Sequence, residues 1–243
     1  MTPSEPGDPQ PGMDPSTDPP SASKSDDGTA VRILDAAERL FADRGFAAVS
    51  MRMITSASGA NLAAANYHFG TKEGLYEAVF ARRILPINED RLRRLNEALD
   101  QNPERETRLR SIVEAYVRPL LSCCETNEGC DSFVIMRFLA KVILDLTQHV
   151  HLVSYYDEMR NSFLKAIHQC LHELNEDEVF FHYNSMVAVT LFYALGDPAH
   201  MVREQGTDST DTETAIAMLS NFINLGMQPA NEGAALGVSA GSL

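Results

Sequence analysis

The chain reads as all-α, an N-terminal three-helix unit joined to a larger helical body, and three observations predict it. Between two polar tails the apolar residues recur at helical spacing almost throughout. No run alternates apolar and polar residues as a half-buried strand does, and no internal repeat is visible. Ser, Thr, Asn and Gly fall at the edges of the periodic segments, where helices are capped and stopped. With 243 residues, 44% of them hydrophobic, the chain is long enough for a small domain joined to a larger one.

Residues 1 to about 28 are rich in Pro, Ser, Asp and Gly with almost nothing apolar, so a disordered tail is expected there. A second tail is expected over 229–243. Ile33, Leu34, Ala37, Leu40 and Phe41 share one face of a first helix, which begins after Thr29 and stops at Gly45. Ser50 caps a short second helix with Met53, Ile54 and Ala57 inward, ending at Gly59. Asn61 caps a third over residues 62 to about 68, and Thr71 caps a fourth with Leu75, Val79 and Ile84 inward. Leu109, Ile112, Val113, Tyr116 and Leu120 mark a helix interrupted near Pro119. Segments at 133–146, 150–174, 179–195 and 215–225 complete the set.

Three short helices and a long fourth, with "ASGAN" between the second and third, describe a helix-turn-helix. Gly59 supplies the backbone freedom that the tight turn needs. The third helix, "LAAANYHF", suits a groove-reading role. Ala63, Ala64 and Ala65 allow close approach to base edges, and Asn61 and Asn66 offer amides of the kind that read adenine bidentately. Tyr67 and His68 can hydrogen-bond phosphates, while Phe69 anchors the helix end. Lys72 adds an ammonium beside the free N–H groups of the next helix, an anion site suited to a DNA phosphate.

The stretch "ILDAAERLFADRGFAAVSMRMITSASGANLAAANYHFGTKEGL" resembles the DNA-binding domain of the TetR family of transcriptional repressors. Its marks are "AAERLFADRGF", the Ser50 cap, "MRMI", the Gly-centred turn and "NYHFGTKEGL" at their mutual spacing. The resemblance implies DNA contacts at Arg52, Asn61, Ala64, Asn66, Tyr67, His68 and Lys72. The family has an aliphatic residue where Ala60 stands and commonly Tyr where Asn66 stands, which implies a different base or phosphate contact. The run "RRILPINEDR" is similar to the PsrA-like, fatty-acid-responsive subgroup of the family. That similarity implies a fourth helix broken near Pro86 and hints at an acyl-type effector.

The domains expected are a helix-turn-helix over 29–76 and an effector-binding and dimerisation body over 77–228. In the body, Arg137 and Lys141 read either as an outward basic pair or as a lead to a ligand pocket. In the second reading Arg137 meets an acidic effector head, with Phe133 and Met136 among the lining. Arg82, Arg83, Arg91, Arg93 and Arg94 read as a DNA stripe or, with Glu89, Asp90 and Glu97 among them, as a salt-bridged helix. The last two helices, about 178–196 and 210–227, carry Ala188, Ala194, Ala215 and Ala217, small residues suited to a homodimer's four-helix bundle.

The net charge of −14 argues against a nucleic-acid partner until its distribution is read. Residues 31–77 hold five basic and five acidic residues, and the acidic excess lies in the first tail and beyond residue 110. The absence of an apolar run of 18 or more residues excludes a helical membrane span, and no basic-then-apolar leader opens the sequence. The cysteines at 123, 124, 130 and 170 have no disulfide-scaffold spacing and read as reduced thiols in a cytoplasmic protein. His168 and His172, four apart on an expected helix, lack the further ligands of a metal site and read as an ordinary pair. With no phosphate loop or nucleophile elbow either, no enzyme and no cofactor are expected. The expected function is a repressor released from a near-palindromic double-stranded DNA operator by a small hydrophobic or acyl-type effector. The alternative is a helical scaffold that has lost DNA binding.

Overall fold

A computed structural model describes residues 22–101, 104–123, 132–145, 147–194 and 211–228, with only the backbone of 22–26, 132, 133, 140 and 144. The expected C-terminal tail, Cys124, Cys130 and the Phe133 side chain therefore lie outside the described residues. The described residues form nine α-helices and one 3-10 segment, with no strand among them.

Helix α1 (Ala22–Ala48) begins inside the stretch expected to be a disordered tail. After Pro20 the sequence holds no helix breaker before Gly28, so turns can add to a helix already nucleated by Ile33, Ala37 and Phe41. Asp27 and Gly28 are exposed, so this extension has solvent around it. Regular helical geometry is interrupted at Gly45, with φ 76°. Helix α2 (Met51–Ser58) is capped by Ser50, whose hydroxyl accepts from the Met53 N–H at 3.3 Å, and stops at the left-handed Gly59. Thr55, and not the expected Ala57, joins Ile54 in the core. Its hydroxyl donates to the Arg52 carbonyl at 3.1 Å, which makes its burial tolerable. Asn61 caps α3 (Leu62–Phe69), and Thr71 caps α4 (Lys72–Gln101) by accepting from the Gly74 N–H at 3.1 Å.

Helix α4 runs unbroken through Pro86, contrary to expectation. A proline removes its own N–H bond and crowds the carbonyl four residues back, and here Pro86 is exposed while Ile84 and Ile87 on either side are buried. Helix α5 (Arg105–Ser122) likewise continues through Pro119, which is buried. The body is completed by α6 (Ser132–Leu144), the 3-10 segment (Val150–Tyr156), α7 (Asp157–Cys170), α8 (Glu176–Ala194) and α9 (Thr212–Gly226). Because α7 ends at Cys170, His172 stands off the helix, and the shared face expected for His168 and His172 does not form. Helix α5 packs on α4 and α9, α7 lies between α4, α5 and α8, and α6 lies along α1.

Two arrangements fix the three-helix head to the body. The first is ionic. Glu38, 2% exposed, accepts from Arg83 Nε at 2.5 Å and Nη2 at 2.6 Å and from Arg82 Nη2 at 2.8 Å, while Arg82 Nη1 reaches Asp35 at 2.7 Å. The second is aromatic. Tyr76 of α4 meets Phe41 and Phe46 of α1 at ring separations of 4.9 Å and Phe138 of α6 at 5.4 Å. His149 closes this cluster at 4.8 Å from Phe46 and 4.9 Å from Tyr76. Burial lifts the Tyr76 phenol to about 12. Burial first, and His151 second, lowers the pKa of His149, so the ring stays neutral among its apolar neighbours.

Glu38→Ala removes the carboxylate between two arginines and is expected to lower the unfolding free energy by about 3–5 kcal/mol. Asp35→Ala, at a carboxylate 49% exposed, should cost under about 1 kcal/mol. Urea titration of both variants checks the contrast, and equal losses would deny Glu38 its special place. Below about pH 6.5 the unfolded chain protonates at His149 more readily than the folded one, so stability is lost as pH falls from there. Thermal melts of wild type and His149→Phe at pH 7.5 and 5.5 should show a smaller acid loss in the variant.

Candidate functional site

The outward side of the head is built on α2 and α3. The two helix caps that define the corner between them also decide which polar atoms stay available. Asn61 Oδ1 accepts from the Ala64 N–H at 2.7 Å, so the acceptor half of its amide is already engaged and it cannot read adenine bidentately. Asn66 and Tyr67 are exposed, Tyr67 at 78%, and among the described residues no hydrogen-bond partner engages either side chain. Of the three alanines, Ala65 is fully buried in the head's core, Ala64 is half-buried and Ala63 is exposed. The close-approach surface therefore centres on Ala63 as much as on Ala64. Arg52 is exposed on α2. His68 is half-buried with Nε2 shielded from solvent, and its ring lies 5.2 Å from that of Tyr67.

The sequence reading assigns Lys72 to a DNA phosphate. Its ammonium donates to the Phe46 carbonyl at 3.1 Å and sits 4.1 Å above the Phe46 ring, so it points back at the end of α1 and not outward. The Phe46 carbonyl lies just past the interruption at Gly45, where it also accepts from the Val49 N–H at 3.3 Å. Residues missed from the sequence include Arg32, exposed on α1, whose Nε donates to the Ser58 carbonyl at 3.4 Å beside the α2–α3 turn. Gly74 was missed too. A Cβ there would lie 2.4 Å from the Phe69 carbonyl, so α4 starts in direct contact with the end of α3. No residue with a side chain fits that corner.

The arginines of α4 do not form a DNA stripe. Arg82 and Arg83 hold Glu38, Arg93 pairs with Asp90 and Glu97, Arg94 pairs with Asp90 at 2.9 Å, and Arg91 is buried. The two α6 cations both reach α1. Arg137 donates to the Ala42 carbonyl at 3.2 Å and pairs with Asp43 at 3.1 Å, while Lys141 donates to the Asp43 carbonyl at 3.0 Å. Both cations bond to carbonyls of α1 just before Gly45.

The body holds a cavity of about 210 Å³, bounded by α4, α5, α6, α7, α8 and the 3-10 segment. Its apolar wall includes Ile84, Leu120, Leu139, Val153 and Val187, and its polar groups include Arg91, Tyr156, Arg160 and Thr190. Neither Arg137 nor Met136 is in this lining; Met136 is buried in the core, one residue from the cation that faces α1. A wider crevice of about 450 Å³ between α7 and α8 is open and edged by Lys165, His168, Glu176 and Asp177. The apolar, more enclosed cavity is the better ligand site on lining alone.

Lys72→Ala removes a charge-assisted bond and a ring contact, and is expected to cost about 1–3 kcal/mol of stability. Since the ammonium faces Phe46, the salt dependence of DNA binding should change by less than one unit of slope; a full unit lost would restore Lys72 to the phosphate contacts.

Two family models match the chain. "Bacterial regulatory proteins, tetR family" matches residues 33–79, and "Tetracyclin repressor-like, C-terminal domain" matches residues 114–226. A comparison with curated protein sequences finds no significant match. Among solved structures, the ketosteroid transcriptional regulator KstR2 of Mycobacterium tuberculosis is similar with a TM-score of 0.56 at 15% identity, covering 81% of this chain and 93% of that one. The TetR family regulator PfmR of Thermus thermophilus gives 0.55 at 16%, covering 83% and 97%. A tetR-family regulatory protein from Rhodococcus RHA1 gives 0.56 at 18%, covering 84% and 98%. At such identities the structures speak for the fold alone. Taken together, the two matched segments, the capped helix-turn-helix and the helical body place this chain in the TetR family of DNA-binding transcriptional regulators.

Proposed function

We propose that the protein is a homodimeric cytoplasmic repressor that grips a near-palindromic operator with α3 and is released by a small hydrophobic or acyl-type effector. The outer face of α3 carries the DNA part of this reading: Asn66 and Tyr67 stand exposed, with no side-chain hydrogen bond among the described residues, on a helix capped at both ends. In it, Asn66 reads a base edge, Arg52, Tyr67 and His68 meet phosphates, Asn61 offers its remaining N–H donors, and Ala64 sets the depth of approach. Lys72 serves by holding the end of α1 against α4. The acyl-type character of the effector rests on the similarity of residues 82–91 to PsrA-like regulators and on the apolar cavity wall.

The dimer is supported by an apolar face that the monomer leaves open. Phe181 and Phe192 on α8 are each 67% exposed, and Met218, Phe222 and Leu225 on α9 are 57–66% exposed. Spacings of four and three place the α9 trio on one stripe. Of the small residues named for this contact, Ala188 and Ala217 are exposed on the same two helices, while Ala215 is buried within its own chain. A two-fold pairing of α8 and α9 would bury these rings and set two α3 helices about 34–36 Å apart, one helical turn of DNA.

Fluorescence anisotropy with duplex DNA flanking the protein's own coding region tests the reading. Affinity should fall steeply with salt, on the order of a thousandfold between 50 and 200 mM for a dimer with several phosphate contacts per head. Phe222→Glu should yield monomers by light scattering and weaken operator binding roughly 100-fold or more, because the second half-site is no longer tethered. No binding to that DNA would favour the scaffold alternative.

A further inference from the structure

The cavity's charge is the anomaly. In a chain of net charge −14, its lining holds two arginines and, among the described residues, no carboxylate. Arg160 is neutralised by Asp157 at 2.7 Å. Arg91 is not. It is 3% exposed, and its partners among the described residues are neutral: the Tyr116 carbonyl at 2.9 Å, Asn88 Oδ1 at 3.4 Å and the face of the Tyr116 ring at 3.9 Å. A guanidinium carries five N–H donors, more than these contacts use. Two further groups in the same lining are unsatisfied. The hydroxyl oxygens of Tyr156 and Thr190 are buried with no hydrogen-bond partner among the described residues, and Thr190 is fully buried.

A buried cation with no counter-charge among the described residues, and two buried hydroxyls with no partner among them, each cost stability. A ligand that brings an anionic group to Arg91 and further acceptors to the hydroxyls removes all three penalties at once. A cationic ligand would add to the first. The remaining wall, Ile84, Leu139 and Val187, offers only dispersion contacts and favours an apolar remainder. At about 210 Å³ the space lies below the usual range for drug-sized ligands, so the occupant is compact.

We propose that the cavity binds a small organic acid, its carboxylate on Arg91, its apolar portion on the aliphatic wall, and the Tyr156 and Thr190 hydroxyls donating to its polar atoms. This rests on taking the cavity as the effector site and assigns the charge-reading role to α4, in place of the α6 arginine that the sequence suggested. Arg91 also joins α4 to α5 through the Tyr116 carbonyl, so an acid drawn to it acts on the helix whose other end carries the head.

The test uses the full chain and six probes: hexanoate, octanoate and benzoate, each beside its primary amide. Calorimetry should show the acids binding wild type roughly 10- to 100-fold tighter than the matching amides, the difference a charged hydrogen bond makes. In Arg91→Met the ratio should fall to about one, while the melting temperature of the ligand-free protein holds or rises, as when buried uncompensated charge is replaced by a similar apolar volume. Arg91→Lys should keep part of the preference. Equal binding of acids and amides by wild type, no binding of any acid, or an unchanged ratio in Arg91→Met overturns the proposal. If Arg91→Met does not fold, the wild-type ratio and Arg91→Lys decide. Operator binding measured on the same preparations separates the failures. A lost acid preference with intact DNA binding removes only the anionic reading, and intact acid preference without DNA binding removes the repressor reading.

Discussion

The clamp on Glu38 is the contact on which the rest of the molecule depends. A carboxylate at 2% exposure on α1 is tolerable only because Arg82 and Arg83, successive residues of α4, surround it with donors. Apolar packing would hold α1 and α4 together over a range of small rotations, since dispersion and burial are weakly directional. A carboxylate shared between two guanidinium forks admits far fewer arrangements. The clamp therefore sets the angle at which the head leaves the body. The aromatic cluster of Phe41, Phe46, Tyr76, Phe138 and His149 fills the space beside it.

Helix α4 links the head to the cavity. Its first turn carries Lys72 and Gly74 at the corner with α3, its middle carries the clamp, and Ile84 and Arg91 reach the cavity. From Lys72 to Arg91 is about 28 Å along a straight helix. A ligand in the cavity touches this helix directly and needs no chain of intermediaries to act on the head. What it must do is favour one orientation of α4 over another, because tight binding with equal affinity for both shifts nothing. The α6 cations, bonded to the carbonyls of Ala42 and Asp43, give the body a second hold on α1, so a shift in α4 has to work against or with that hold.

Local rules were legible in the sequence where chemistry is local. The caps at Ser50, Asn61 and Thr71, the left-handed Gly59 and the helical period of the core each depend on a few neighbouring residues, and each formed as the residues imply. Pro86 and Pro119 misled because a proline's effect depends on what packs around it, and buried neighbours carried both helices through. The partners of long cations were not legible at all. Lys72, Arg91 and Arg137 are joined to groups 25 to 95 residues away, and nothing in a linear pattern distinguishes a cation facing solvent from one capping the end of a distant helix. The apolar stripe of α9 was visible as a period, but which half of it faces the chain's own core was set by α5.

The missing side chain at Gly74 has a mechanical consequence. With the start of α4 seated against the Phe69 carbonyl, a tilt of α4 meets the end of α3 directly. Pivoting α4 by about 5° over an arm of about 30 Å swings its tip by roughly 2.5 Å. Two subunits swinging in opposite senses would double the error in separation, a mismatch larger than one base-pair step.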